Sequence, residues 1–224
     1  ALDKTTGQEK WRRSRDEVTS WSTPLIVDEP GGPQVIVSAT SRVRGYDLSS
    51  GKTIWECGGL GLNCAPTPVA ADGIVYVMSG YRDPALMAIK YRGASGDLTG
   101  SDAVLWRIQD GTSYVPSPLL YEDTFYFVQK NTGILSCYEP QTGTPHFDKT
   151  RLEKITGVYA SPVGVSDRVY IAGRNGVTYV LERGPSFQVL AVNELDDSFS
   201  ASPAVVGDEL FLRGLDNLYC ISAE

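Results

Sequence analysis

Residues 45–55 read Gly-Tyr-Asp-Leu-Ser-Ser-Gly-Lys-Thr-Ile-Trp, and residues 1–11 give the same phrase as Ala-Leu-Asp-Lys-Thr-Thr-Gly-Gln-Glu-Lys-Trp. In both copies a small residue begins a short apolar strand, a Thr-Gly or Ser-Gly pair follows, and a Trp stands four positions after the Gly. The Gly supplies the positive φ that a tight turn needs. The phrase therefore predicts two consecutive strands joined by a turn, which we call strands three and four of a repeating unit.

The same phrase recurs along the chain, and its first and last positions keep the same type of residue in most copies. Its first position is small in each copy, namely Ala1, Gly45, Ala88, Cys137, Val180 and Cys220. Its last position is aromatic in four copies, namely Trp11, Trp55, Trp106 and Phe147, and the fifth copy of the phrase, which begins at Val180, has lost the ring. Small residues are expected where one sheet lies close against the next. We predict that the large rings are buried wedges between neighbouring sheets.

A second phrase, out of phase with the first, pairs a hydroxyl residue with Pro about every 45 residues. The five copies are Thr23-Pro24, Thr67-Pro68, Ser117-Pro118, Ser161-Pro162 and Ser202-Pro203. Each copy belongs to strand one and leads through a polar turn into a strand two of β-branched and aromatic residues, as in 125–128. Four short strands in a period of about 45 residues are typical of a β-propeller blade. No helical periodicity is evident.

The sequence thus predicts an all-β fold, a β-propeller of five four-stranded blades in a single domain over residues 1–224. The repeating units are approximately 14–58, 59–108, 109–150, 151–195, and 196–224 together with 1–13. Two arrangements remain open. Residues 1–13 could complete the last blade and close a five-bladed ring, which removes an open sheet edge. Alternatively, and we favour this interpretation, the chain is the C-terminal part of a larger propeller, whose uncovered blade face would favour a homodimer.

Composition excludes several classes of function. The chain has 224 residues and a formal net charge of −7, from 20 Lys and Arg against 27 Asp and Glu. The acidic balance argues against nucleic acid or an anionic membrane surface as the main partner, and no apolar run approaches the roughly 20 residues of a membrane helix. The single histidine, His146, excludes a His-dependent triad or a multi-His metal site. We predict no catalytic, cofactor-binding or metal-binding residue, and a structural role for His146.

The four cysteines fall into two groups. Cys137 and Cys220 occupy the small position of the first phrase, so we expect buried free thiols that stand in for Ala. Cys57 and Cys64 flank the Gly-rich segment 58–63, and a disulfide between them could form in an oxidising compartment. The sequence contains no Cys-x-x-Cys motif, so we do not expect these cysteines to bind zinc.

The phrase of residues 1–11 and 45–55 resembles the tryptophan-docking repeat of the pyrroloquinoline-quinone-like (PQQ-like) propellers, over essentially the whole chain. That family contains quinoprotein dehydrogenases, which bind PQQ and Ca²⁺ on the propeller axis, and cofactor-free scaffolds of the BamB-like branch. Both usually have eight blades and work outside the cytoplasm, so the resemblance implies a periplasmic or otherwise extracytoplasmic protein. The dehydrogenases commonly carry an adjacent Cys-Cys pair and long insertions. This sequence has no such pair and only the insertion 91–103, which favours the BamB-like branch, without cofactor.

The resemblance implies a non-enzymatic scaffold that binds a protein or peptide partner through loops on one propeller face. The candidate partner-binding residues lie before strand one, with two arginines assigned to the loops after strand two: Trp21, Asn63, Tyr114, Tyr159 and Phe199, with Arg44 and Arg174. Two alternatives stay open. One is a PQQ- and Ca²⁺-dependent quinoprotein dehydrogenase or a degenerate relative of one, and the other is an extracellular carbohydrate- or peptide-binding module.

Overall fold

The computed structural model describes residues 1–222, and its regular elements are all β-strands. The chain forms two compact units, Ala1–Asp110 and Gly111–Glu224. Two sheets belong to the first unit and three to the second. No helix among the described residues has the length and apolar character needed to cross a membrane.

The first unit contains a five-stranded and a four-stranded sheet. The strand order is β1-β2-β3-β4-β8 in the first sheet and β5-β6-β7-β9 in the second. Their bounds are β1 Leu25–Val27, β2 Gln34–Ala39, β3 Arg42–Asp47, β4 Thr53–Gly58, β5 Val69–Ala71, β6 Ile74–Ser79, β7 Ala85–Lys90, β8 Gly96–Asp97 and β9 Val104–Ile108. All neighbours are antiparallel except β4 and β8, which are parallel. The sequence did not predict β8, which comes from the insertion 91–103 and extends the sheet of the preceding repeat.

The second unit contains two four-stranded sheets and one three-stranded sheet, all antiparallel. Their orders are β10-β11-β12-β13, β14-β15-β16-β17 and β18-β19-β20. Their bounds are β10 Leu119–Tyr121, β11 Thr124–Val128, β12 Ile134–Tyr138, β13 Pro145–Arg151, β14 Val163–Val165, β15 Arg168–Ala172, β16 Val177–Glu182, β17 Val189–Glu194, β18 Ala204–Val206, β19 Glu209–Arg213 and β20 Leu218–Ser222. The four-stranded antiparallel repeat and the all-β class are confirmed. Ring closure and the pairing of residues 1–13 with the last sheet stay predictions.

Local sequence explains the tight hairpins between the first two strands of a sheet. In the β5–β6 hairpin only Asp72 and Gly73 separate the strands, and both have positive φ, 53° and 81°. Two consecutive positive-φ residues form the primed turn whose twist matches that of antiparallel strands. The following strands are rich in β-branched and aromatic residues, and β6 and β11 are buried along their whole length.

The small position of the first phrase is explained by a ring within its own sheet. The small residue pairs directly with the aromatic residue of the neighbouring strand: Gly45 with Trp55, Ala88 with Trp106 and Cys137 with Phe147. A Cβ atom on Gly45 would lie 2.3 Å from Trp55 Nε1. In the fourth repeat, where the ring is lost, Val180 pairs with Ala191. The ring on the adjacent strand is therefore one reason why this position is small, and the close approach of neighbouring sheets stays a prediction.

Trp11 shows how an aromatic residue of this phrase contacts the next repeat. Its indole Nε1 donates a hydrogen bond to the carbonyl of Leu48 at 2.8 Å. Its ring covers the Ser50-Gly51 turn so closely that a Cβ on Gly51 would lie 2.4 Å from it. Gly51 also has a φ of 69°, so the turn requires Gly both for its backbone and for the ring above it. Trp11 is half-buried and lies outside the strands of the sheets, so this contact joins it to the next repeat, and the buried wedge between two sheets stays a prediction.

The hydroxyl residue before each Pro has a role that sequence analysis did not assign. In the second unit the backbone N–H of Ser117 donates to Ser161 Oγ at 3.0 Å, and the N–H of Ser161 donates to Ser202 Oγ at 2.9 Å. Each hydroxyl thus satisfies a backbone donor of the preceding repeat. This requirement accounts for the Ser beside the Pro at positions 161 and 202.

One of the four cysteines differs from what the sequence predicts. Cys57 and Cys64, between which the sequence leaves a disulfide open, are buried free thiols in the structure. Cys64 Sγ donates instead to the carbonyl of Ala39 at 3.2 Å. Cys137 is buried as expected, but Cys220 is exposed. Cys220 lies on β20, the last strand of the three-stranded sheet, and within the described residues that sheet has no fourth strand to place a ring over it.

Thiol titration tests this arrangement. We expect one thiol, that of Cys220, to react rapidly with Ellman's reagent in the native protein, and Cys220→Ser to abolish the rapid phase. The others react slowly because they are buried, and burial raises the pKa of Cys64 and Cys137 to about 12. In denaturant without reductant all four should react, whereas a count of two would show that Cys57 and Cys64 are bridged in the purified protein.

Candidate partner-binding loops

In each unit the segments that lead into the first strand of a sheet lie against the loops between its second and third strands. The N–H of Thr40 donates to the carbonyl of Thr19 at 2.9 Å, and the N–H of Arg174 donates to the carbonyl of Gly157 at 2.8 Å. We call these segments and loops the loop set of each unit. The first loop set comprises 14–24, 40–41, 59–68 and 80–84, and the second comprises 111–118, 129–133, 152–162, 173–176 and 195–203 with 214–217.

Trp21 and Asn63, two of the residues predicted from sequence, belong to the first loop set and lie on adjoining segments. The N–H of Trp21 donates to the carbonyl of Cys64 at 3.1 Å, while its side chain is 68% exposed. Asn63 has a φ of 53°, which Asn tolerates better than most residues, and its Oδ1 accepts a hydrogen bond from Thr19 Oγ1 at 3.2 Å. Asn63 therefore joins the two segments, and Trp21 faces solvent.

The first loop set also exposes large apolar side chains that sequence analysis did not select. These are Val18, Leu62 and Tyr81. Arg82 lies with its guanidinium carbon 5.4 Å from the centre of the Tyr81 ring. Tyr81 follows Gly80 and precedes Pro84 in the β6–β7 loop. A Tyr-Arg pair in such a turn was the signal that could have identified this position.

Tyr159 and Arg174 meet in the second loop set. The guanidinium carbon of Arg174 lies 4.4 Å from the centre of the Tyr159 ring, within the range of a cation–π contact. Tyr159 is 38% exposed, and Arg174 is exposed in the β15–β16 loop, as predicted. The structure thus brings these two predicted residues together on the surface of the unit.

The remaining aromatic candidates of the second unit are less accessible. Tyr114 is half-buried, and its N–H donates to the carbonyl of Lys130 at 3.1 Å. Phe199 is completely buried in a cluster with Ala160 and Leu212, and its ring meets Tyr219 edge-on at 6.0 Å. The assignment of Phe199 to a partner-binding surface is therefore corrected: its ring belongs to the core.

Arg44 does not lie in a loop, because it is part of β3, and this assignment is also corrected. Its guanidinium forms ion pairs with Asp16, Glu17 and Glu56, and its side chain is only 12% exposed. Burial disfavours the charge, but the hydrogen bonds to Asp16 and Glu56 outweigh burial and raise the pKa of Arg44 above its usual value. The same bonds lower the pKa of Glu56. Arg44 therefore has a structural role in an internal charge network.

Among the described residues, no group of three or more His, Cys, Asp or Glu side chains is placed to hold a metal ion. A pocket of about 650 Å³ beside Arg44 is lined by Arg13 and Tyr46 among others. No step of a reaction is assigned to it.

Four-stranded antiparallel sheets that repeat about every 45 residues, with an aromatic residue on a Ser/Thr-Gly turn, define a protein of the PQQ-like β-propeller class. The chain belongs to the family described as outer membrane protein assembly factor BamB, whose model matches residues 1–224.

Comparison with solved structures agrees on the fold. BamB from Moraxella catarrhalis is 16% identical, with a TM-score of 0.51 over 98% of this chain and 74% of that one. The computationally designed protein Ika8 is 14% identical, with a TM-score of 0.70 over 97% of this chain and 63% of the designed one, so the chain spans less than two thirds of that protein. Among curated protein sequences, none matches this chain significantly.

Proposed function

We propose that the chain is a non-enzymatic, extracytoplasmic scaffold that binds a protein or peptide partner through its loop sets. Membership of the BamB family supports an envelope location and a role in assembly rather than catalysis. The observation that carries the proposal is the exposure of aromatic residues in both loop sets. Trp21 and Tyr81 are exposed in the first, and Tyr159 in the second.

The composition of these loops supports a protein partner. Interfaces are enriched in Trp, Tyr and Arg, and these residues account for most energetically dominant contacts. Arg82 on Tyr81 and Arg174 on Tyr159 place an arginine over an exposed ring in each unit. Leu215, in the β19–β20 loop, adds a strongly exposed apolar side chain to the second loop set. Loops held by backbone hydrogen bonds present such groups without a large ordering cost on binding.

Alanine substitutions test the proposal. We expect Trp21→Ala and Tyr159→Ala each to lower capture of envelope proteins by the tagged chain about tenfold or more, because exposed aromatic anchors dominate binding energy. Capture is quantified after chemical cross-linking, and the melting temperature is measured in parallel.

The matched control is Val206→Ala. Val206 is also exposed, but it lies on β18 beside the β18–β19 turn and outside both loop sets. Both aromatic variants should melt within about 2 °C of the unmodified protein, because truncation of an exposed side chain removes little buried area. Unchanged capture by the two aromatic variants, or a loss equal to that of Val206→Ala, contradicts the proposal.

A further inference from the structure

The arginines of this acidic chain differ in whether a carboxylate pairs with them. Among the described residues, those within ion-pair distance of Asp or Glu are Arg12, Arg15, Arg42, Arg44, Arg92, Arg168 and Arg183. Six arginines have no carboxylate within that distance in residues 1–222, namely Arg13, Arg82, Arg107, Arg151, Arg174 and Arg213. The cationic group of Arg174 lies over the Tyr159 ring. In a chain of net charge −7, a cation without an acidic neighbour is available to an external anion.

The Tyr159–Arg174 pair is held in place by the backbone around it. The N–H of Arg174 donates to the carbonyl of Gly157 at 2.8 Å. The neighbouring Asn175 donates through Nδ2 to the carbonyl of Lys154 at 2.8 Å and accepts at Oδ1 from the N–H of Thr156 at 3.4 Å. These bonds fix the β15–β16 loop against the segment that carries Tyr159. The pair is thus arranged before any ligand arrives.

The loops adjoining this pair carry balanced charge. The N–H of Val158 donates to the carbonyl of Asn131 at 2.9 Å, and the N–H of Leu195 donates to the carbonyl of Gly176 at 3.1 Å. Segments 129–133, 152–162, 173–176 and 195–197 therefore adjoin one another, and they contain the cations Lys130, Lys154 and Arg174 and the carboxylates Glu153, Asp196 and Asp197. The charge that would attract an acidic ligand here is that of the Arg174 side chain itself.

We propose that Tyr159 and Arg174 form a clamp for a peptide segment in which an acidic residue adjoins an apolar side chain. The guanidinium carbon lies over the ring, and the guanidinium N–H groups can bind a carboxylate of the ligand with two hydrogen bonds. The exposed part of the Tyr159 ring packs against the neighbouring apolar group. This inference rests on the proposed function and names the chemistry of its partner.

Peptide binding measured by fluorescence anisotropy tests the clamp. The probes are a labelled ten-residue peptide in which Leu and Asp alternate, a counterpart with Asn for Asp, and a counterpart with Ser for Leu. We expect the Leu–Asp peptide to bind most tightly. Arg174→Gln should weaken its binding about fivefold and leave the Leu–Asn peptide unaffected.

The control is Arg168→Gln, which removes the same charge from the other end of β15 and should change binding less than twofold, roughly the effect of a distant surface charge. Equal binding of the Leu–Asp and Leu–Asn peptides, or equal losses in Arg174→Gln and Arg168→Gln, overturns the clamp. Failure of the clamp with a clear effect of Trp21→Ala and Tyr159→Ala on capture leaves the scaffold proposal intact. Failure of capture itself overturns the proposed function instead.

Discussion

Trp55→Ala should lower the free energy of unfolding by about 3–5 kcal/mol, the usual cost of truncating a large buried aromatic residue. Trp55 is completely buried, and its Nε1 donates to Oε1 of the buried Gln34 at 2.9 Å. Its ring covers Gly45 on the adjacent strand and stacks near Tyr91 at 6.4 Å. Removing the ring leaves a cavity and an unsatisfied buried amide, and both effects are destabilising.

The fourth repeat suggests a partial rescue of that loss. There Val180 pairs with Ala191 at the positions that Gly45 and Trp55 occupy in the first repeat. Gly45→Val alone should be strongly destabilising, because even its Cβ would meet the Trp55 ring. In the double variant, which combines Gly45→Val with Trp55→Ala, the Val side chain occupies the space that the Trp55 ring filled. We therefore expect a favourable coupling of about 1–3 kcal/mol between the two substitutions.

Urea unfolding of the four proteins in this cycle measures the coupling. Trp21→Ala serves as the control for loss of an indole, since Trp21 is exposed, and should cost less than about 1 kcal/mol. Strictly additive effects of Gly45→Val and Trp55→Ala would contradict the explanation given for the small position of the repeat.

The periodicity of the sequence made the repeated sheets predictable, whereas the elements that depart from the repeat could not be predicted. The recurrence of the Pro phrase and of the Trp phrase predicts where four-stranded sheets begin and end, because each repeat must bury the same pattern of side chains. β8, at Gly96–Asp97, has no counterpart in the other repeats. A two-residue strand in a polar insertion has no hydrophobic pattern, since its pairing with Trp55 and Glu56 uses only backbone groups.

Sequence analysis predicted which candidate residues lie near the loops of a repeat. It could not predict whether each side chain is exposed or buried. Position before strand one or after strand two identified Trp21, Tyr159 and Arg174, all of which are exposed. The same rule selected Phe199, which is fully buried, because sequence position does not determine which way a side chain points. Arg44 was misplaced because its segment continues directly into β3, so the hairpin loop before it is only Thr40-Ser41.

Arg44→Met should destabilise the protein by about 3 kcal/mol at pH 7, because removing one partner of a buried ion pair leaves the other charge uncompensated. Arg44 contacts Asp16, Glu17 and Glu56. Arg42 still pairs with Glu56 at 2.7 Å in the variant. Glu17 is only 4% exposed and retains a single ion pair, to Arg15 at 3.8 Å, so its carboxylate bears most of the loss.

The loss of stability in Arg44→Met should depend on pH, and the carboxyl pKa values give the direction of that dependence. In the unmodified protein, the hydrogen bond from Arg44 lowers the pKa of Glu56 and of Asp16. That stabilisation is fully present above the pKa of the unfolded chain and is lost as the pH falls through the lower, folded-state pKa. In Arg44→Met the hydrogen bond that lowers these two pKa values is absent, so this stabilisation is absent at every pH. Because both pKa values are shifted downward, from 4.5 for Glu56 and 3.8 for Asp16, the stability difference between the two proteins should narrow only below about pH 4.5, as between pH 7 and pH 4.

Arg183→Met is the matched control, because Arg183 also pairs with two carboxylates, Glu122 and Asp123, but both are well exposed. An exposed network of this kind contributes about 0–1 kcal/mol, and its loss should depend little on pH in this range. Urea unfolding at pH 7 and pH 4 compares the two variants. If they lose equal stability, or if the difference for Arg44→Met widens on acidification, then Arg44 is not the counter-charge of the carboxylates around it. A loss confined to Arg44→Met that shrinks at pH 4 assigns Arg44 to the stability of the first sheet rather than to partner binding.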